Sequence, residues 1–135
     1  MVSGGFEPRE LAVPAQISRL AEVRRFAEQA AADFGFDREA RYRIKMAASE
    51  AVANAVEHGS PSPQHTIVLR ASDEAGTFAF YVIDQGNFVQ RAIPAEALRE
   101  RGRGLDFIGQ LMDEIEIQPS SEGTVIRFSK RLAGA

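Results

Sequence analysis

Between Asp37 and His58 the chain carries the pattern of a helix with two different surfaces to satisfy. Ile44, Ala48, Ala51, Val52, Ala55 and Val56 share one side at the three- and four-residue spacing of an amphipathic helix, and Glu50, Asn54, Glu57 and His58 gather on the other. The apolar side must lie on a second layer of structure, so no single-layer arrangement can hold this segment. Asp37 stands where an N-cap belongs, Gly59 lies just past the end, and Pro61 and Pro63 prevent continuation.

The remaining segments supply that second layer. Glu10-Leu11-Ala12-Val13 reads as an edge strand closed by Pro14, and a helix from Gln16 to Phe34, with Ile17, Leu20, Val23, Ala27, Ala30 and Phe34 in its stripe, ends at Gly35. Thr66 to Arg70 and Thr77 to Asp84 read as antiparallel strands separated by a turn at Ser72-Asp73-Glu74-Ala75-Gly76. In the second of these both alternating sets, Phe78/Phe80/Val82 and Ala79/Tyr81/Ile83, are largely apolar, which predicts a central strand covered on both faces. Gln85 to Gly104 is polar and irregular. A third helix is expected from near Leu105, with Ile108, Leu111 and Met112 in its stripe, followed by strands at Glu114 to Gln118 and Thr124 to Lys130. The 135 residues make one domain, 1–135, of α+β class, with helices on one face of a mixed, mostly antiparallel sheet.

Composition narrows the chemistry. Sixteen Lys and Arg against nineteen Asp and Glu leave a formal charge of -3, which disfavours direct nucleic-acid binding. Cysteine is absent, which excludes thiolate chemistry and disulfides, and His58 and His65 alone offer little to a zinc site. The amino terminus has neither a basic start nor an apolar core of the signal-peptide kind, and no apolar run approaches eighteen residues. The expected protein is soluble, unexported, cytoplasmic and without a membrane partner.

Four short patterns carry chemistry. Glu50 and Asn54 are four apart, so on a helix their side chains face the same space. An amide oxygen there suits Mg²⁺, which prefers hard oxygen donors beside water and phosphate, and a carboxylate can orient or deprotonate an attacking hydroxyl. In isolation the same pair is a solvated helix face. Asp84 ends an apolar strand and is followed by Gln85-Gly86-Asn87, where a carboxylate can accept a hydrogen bond from an exocyclic amine such as that of adenine. Arg101-Gly102-Arg103-Gly104-Leu105 reads as a glycine-rich loop feeding a helix, an anion cradle with arginines for further phosphate charge. Glu122-Gly123-Thr124 opens the last strand and, alone, is a hairpin turn.

In this order and spacing, Glu-x-x-x-Asn, Asp-x-Gly, Gly-x-Gly-Leu and Gly-Thr resemble the motifs of the histidine-kinase-like ATPase superfamily, also called GHKL, whose architecture is the Bergerat fold. Within it the chain is most similar to the anti-sigma factor serine kinases of the RsbW and SpoIIAB type, from Leu11-Ala12-Val13-Pro14-Ala15 to Leu111-Met112-Asp113-Glu114. The resemblance implies ATP and Mg²⁺ as ligands, Glu50 as the carboxylate that activates the acceptor hydroxyl and Asn54 as the Mg²⁺ ligand. It further implies that Asp84 recognises the adenine amine, with Gly86 shaping that pocket and Thr124 supporting the carboxylate. Gly102, Arg103 and Gly104 would surround the phosphates. Implied partners are a sigma factor, a STAS-type antagonist that is phosphorylated on serine, and a second copy of the chain.

The sequence also departs from the family pattern. Phe88 stands where the second motif commonly has a second glycine, and the stretch from Phe88 to Arg101 is short for a nucleotide lid and lacks lysine. That leaves Arg91, Arg99, Arg101 and Arg103 for cationic contacts, and it keeps open a partner-binding module of the same fold with weak or no phosphotransfer.

Overall fold

A computed structural model of the chain describes residues 6–59, 62–84, 95–120 and 123–132. Its elements are β1 (Arg9–Pro14), α1 (Leu20–Phe34), α2 (Arg38–Asn54), β2 (Thr66–Glu74), β3 (Thr77–Asp84), α3 (Ala95–Leu111), β4 (Glu114–Ser120) and β5 (Gly123–Arg131). The strands form one sheet in the order β1-β2-β3-β5-β4, with the helices forming the second layer. This is the expected α+β two-layer sandwich. All four strand pairings are antiparallel, so the parallel pairing that a mixed sheet allows does not occur among the described strands.

Local chemistry accounts for the helix limits. A short 3-10 turn at Ile17–Arg19 leads into α1, whose carbonyls at Ala31 and Ala32 accept the Gly35 N–H. Gly35 holds φ +115°, a left-handed conformation that a side chain would strain, and thereby turns the chain out of the helix. The Asp37 carboxylate accepts the Ala40 N–H at 2.9 Å and caps α2. After Asn54 the helix widens into a single π turn, Ala55–Gly59.

The register stacks the core in cross-strand rows on the helix side. Leu11, Leu69, Val82 and Ile126 form one row, which Ile117 ends at the exposed sheet edge, and Ala71, Phe80, Phe128 and Ile115 belong to the next. Phe80 and Phe128 stack with ring centres 5.1 Å apart, and Phe78 meets Phe6, Phe34 and Phe36 edge to face. The apolar stripe of α2 and the inner faces of α1 and α3 close over these rings.

The other sheet face differs from the sequence expectation. β3 is central, but no second layer covers its outer side among the described residues, and Tyr81 and Ile83 there are half-buried. Long polar side chains lie over Tyr81: its hydroxyl donates to Glu74, and Arg127 sits over its ring and reaches Glu74 at 2.6 Å and Glu116 at 3.5 Å. The Tyr81 hydrogen bond, and then Arg127, hold the Glu74 carboxyl below its usual range, while burial pushes the Tyr81 hydroxyl up.

α3 also begins earlier than expected, at Ala95, so Gly102 and Gly104 lie inside a helix rather than in a loop before it. Ala95-Glu96-Ala97-Leu98-Arg99-Glu100-Arg101 are strong helix formers, and together with the buried Ile108 they outweigh three interior glycines, Gly102, Gly104 and Gly109, that each cost about 1 kcal/mol.

Phe80 is 0% exposed and links the β3 and β5 aromatic rows. Phe80→Ala should lower unfolding free energy by about 3–5 kcal/mol, measured by urea denaturation, whereas a loss below about 1 kcal/mol would mean that the ring stack is not central to the core.

Candidate functional site

Asp84 and Thr124 are directly opposed residues on adjacent central strands, β3 and β5. Both are in phase with the core-facing set Phe80, Val82, Ile126 and Phe128, so both project toward the helix layer rather than toward solvent. Asp84 is 4% exposed and Thr124 2% exposed. An apolar strand that ends on an inward carboxylate places a strong acceptor at the rim of the core, and the Thr124 hydroxyl beside it is buried with no hydrogen-bond partner.

α2 brings its polar pair to the same end of the molecule. Asp37 and Ala40, at its start, line a cleft with Lys130, Arg131 and Leu132, so the helix begins over the carboxyl end of β5. From there its 17 residues extend about 25 Å toward the end of the sheet where β5 begins. Glu50 and Asn54 therefore stand near the end marked by Asp84 and Thr124.

The surroundings of this pair differ from a solvated helix face. Asn54 is 2% exposed, and neither its amide nitrogen nor its amide oxygen has a hydrogen-bond partner. Glu50 is half-buried. The reason is α3, which packs on α2 with Gly104 against both side chains. A Cβ added at Gly104 would lie 2.4 Å from a Glu50 carboxylate oxygen and 3.6 Å from the Asn54 amide nitrogen, so only a glycine allows this approach. Glu50 and Asn54 are thus in one contact with Gly104, about fifty residues further on in the chain.

Other expected residues fall differently. The Gly102 and Gly104 amides lie within α3, where the ladder binds them, and Arg103 is exposed. Gly86, Phe88 and Arg91 lie outside the described residues, as do the side chains of His58, Arg99 and Arg101. His65, expected at the surface without a role, is half-buried; its carbonyl accepts the Ala15 N–H and its Nδ1 is buried without a partner.

One contact beside the site leaves little signature in the sequence. Arg24 of α1 donates from Nε to the hydroxyl of Ser49 at 3.2 Å, and Ser49 is buried next to Glu50. A serine inside an alanine-rich helix face is the only local sign of it.

The donor set suits a hard divalent ion shared with a phosphate. No group of three His, Cys, Asp or Glu that could hold a metal ion occurs among the described residues. No described helix is long and apolar enough to cross a membrane.

Comparison with known proteins identifies the family and the fold. The family described as Histidine kinase-like ATPase domain matches residues 13–130. A serine-protein kinase RsbW of Oceanobacillus iheyensis is 31% identical over 92% of this chain and 86% of its own length. An anti-sigma F factor of Thermoanaerobacter sp. is 29% identical over 64% of this chain and 67% of its own. Among solved structures, the RsbU and RsbW domains of a Mycobacterium tuberculosis protein superpose over 93% of this chain with a TM-score of 0.73 and 28% identity, and this chain spans 32% of that one. The histidine kinase domain of a blue-light activated kinase from Erythrobacter litoralis, at 22% identity and a TM-score of 0.56, shares the fold.

The unpartnered Thr124 hydroxyl carries a stability cost that a valine of the same shape would remove. Thr124→Val should raise the unfolding free energy of the ligand-free protein by about 1 kcal/mol in chemical denaturation; a loss of stability would show that the hydroxyl is satisfied in the folded protein.

Proposed function

Because the chain belongs to the histidine kinase-like ATPase family, in the group of the serine-protein kinase RsbW, we propose that it binds Mg·ATP and phosphorylates a serine of a STAS-type antagonist. In the same reading it sequesters a sigma factor when that antagonist is absent or phosphorylated, and it works as a cytoplasmic homodimer. The observation that carries the proposal is the buried, unpartnered amide of Asn54, one helical turn from Glu50 and in contact with Gly104.

Each residue has a defined task. Asp84 accepts the hydrogen bond of the adenine amine, and Thr124 supports that carboxylate from the neighbouring strand. Gly86 shapes the same pocket. The Asn54 amide oxygen holds Mg²⁺, and the ion, when bound, neutralises charge on the transferring phosphate. Glu50 accepts the proton of the serine hydroxyl as it attacks. Gly102, Arg103 and Gly104 contact the phosphates.

A second reading retains nucleotide or partner binding and drops transfer; Phe88 in the place of a glycine favours it. Labelled ATP with a STAS-domain substrate separates the two, since binding without labelling supports the second. Under the first reading Asn54→Ala abolishes Mg²⁺-dependent ATP binding in calorimetry. Glu50→Gln keeps the affinity within about twofold and slows labelling by about 10²-fold or more. Unchanged affinity in the Asn54 variant would remove that residue from the metal role, and unchanged labelling in the Glu50 variant would remove the base.

A further inference from the structure

The strand after α3 reads Glu114-Ile115-Glu116-Ile117-Gln118, a strict alternation of acid and aliphatic residues that closes on a polar residue and then Pro119. β4 stands at the end of the sheet, paired on one side to β5 and, among the described residues, to no strand on the other. Alternate residues of such a strand turn their N–H and C=O groups outward, which makes it a template for one more strand. Its two faces carry different chemistry. Ile115 and Ile117 lie on the helix side, where Ile115 packs against the core and Ile117 remains 40% exposed. Glu114 and Glu116 lie on the outer side, both exposed, with contacts of 3.5 Å to the Ser129 hydroxyl and to Arg127, and β4 itself contains no basic residue. The opposite edge, β1, differs: Pro8 and Pro14 bracket it, and Glu10 already pairs with Arg70 of β2 at 2.5 Å.

We propose that β4 is a docking edge for an extended segment of a partner protein in which basic and aliphatic residues alternate, added to the sheet beside β4. Backbone hydrogen bonds along residues 114–118 hold the segment, its basic side chains pair with Glu114 and Glu116, and its aliphatic side chains cover Ile117. The charge pattern selects this occupant over a second copy of the chain. When β4 pairs with its own copy in a register centred on Ile115 or Glu116, Glu114 faces Glu116 or Glu116 faces itself, and like charges directly opposite are destabilising. A register centred on Ile117 brings Pro119, which has no N–H, into the ladder. A segment with alternate basic residues meets opposite charge at the same positions. β4 contains none of the candidate site residues, so this docking edge stands whether or not the nucleotide reading does.

The probe is a short acetylated peptide alternating lysine and valine, with a glutamate and valine peptide as its control. Titrated into isotope-labelled protein, the lysine peptide should shift the amide resonances of residues 114–118 and slow their hydrogen exchange. Reversing both charges, Glu114→Lys with Glu116→Lys, should weaken that peptide by about tenfold or more and strengthen the glutamate peptide. Two further lysine peptides, N-methylated on the lysine amides or on the valine amides, keep the charge and leave the protein unaltered. One should lose binding and the other keep it, because only alternate residues bond across an added strand. No binding of the lysine peptide, equal binding of the lysine and glutamate peptides, equal binding of the two methylated forms, or shifts centred away from β4 would overturn the docking edge. Dilution-dependent shifts at 114–118 in the protein alone would overturn it too, by assigning the edge to a second copy of the chain.

Discussion

The structure depends on how closely α2 can approach its neighbours. Ala47, Ala48, Ala51 and Ala55 have almost no exposed surface, and they let the helix axis sit low on the aromatic rows of the sheet. On its other flank the missing side chain of Gly104 lets α3 come equally near. Confined on two sides in this way, the helix carries Asn54 into the interior and half-buries Glu50, while Glu57 in the following turn stays exposed, and the two-layer architecture and the candidate site are consequences of the same close packing.

The row structure of the sheet provides the second half of the site. Because strand side chains alternate, the inward set Phe78, Phe80 and Val82 continues without interruption to Asp84, and Ile126 leads back to Thr124 in the same phase. No bulge or special turn is needed to place these two polar groups at the rim of the core. Register alone does it, and a slip of one residue would carry both to the outer face, where Glu74, Tyr81 and Arg127 form a polar cover.

What could be read from the residues follows from this geometry. Periodicity located α1, α2 and the strands because each buries one continuous stripe, and Asp37 and Gly35 marked helix limits through local hydrogen bonding that acts over three or four residues. Glu50 and Asn54 were legible as a pair because they share a helix. Their burial was not, since it is imposed by Gly104, fifty residues further on in another element. The glycines of α3 misled for a related reason: local chemistry marks them as loop formers, but the helix-forming run before them and the anchor at Ile108 and Met112 hold them in a helix. The outer face of β3 misled because apolar alternation does not distinguish cover by a layer from cover by the stems of Arg127 and its partners. The contact from Arg24 to Ser49 left almost no trace, being a single hydrogen bond between positions with no shared pattern.

The unpartnered groups give the site an energetic direction. A buried amide or hydroxyl without a hydrogen bond costs about 1–3 kcal/mol, so Asn54 and Thr124 together take an appreciable part of the 5–15 kcal/mol that stabilises a typical domain. Both lie near one end of the sheet, beside a continuous cluster of buried apolar side chains. A ligand that supplies partners to both regains that energy on binding, on top of its own contacts. In the proposed reading the ion and phosphate oxygens serve the Asn54 amide and the heterocycle serves the Thr124 end, so a ligand of mixed character, carrying both a cation and hydrogen-bonding groups, meets needs that neither a bare anion nor an isolated base could meet alone.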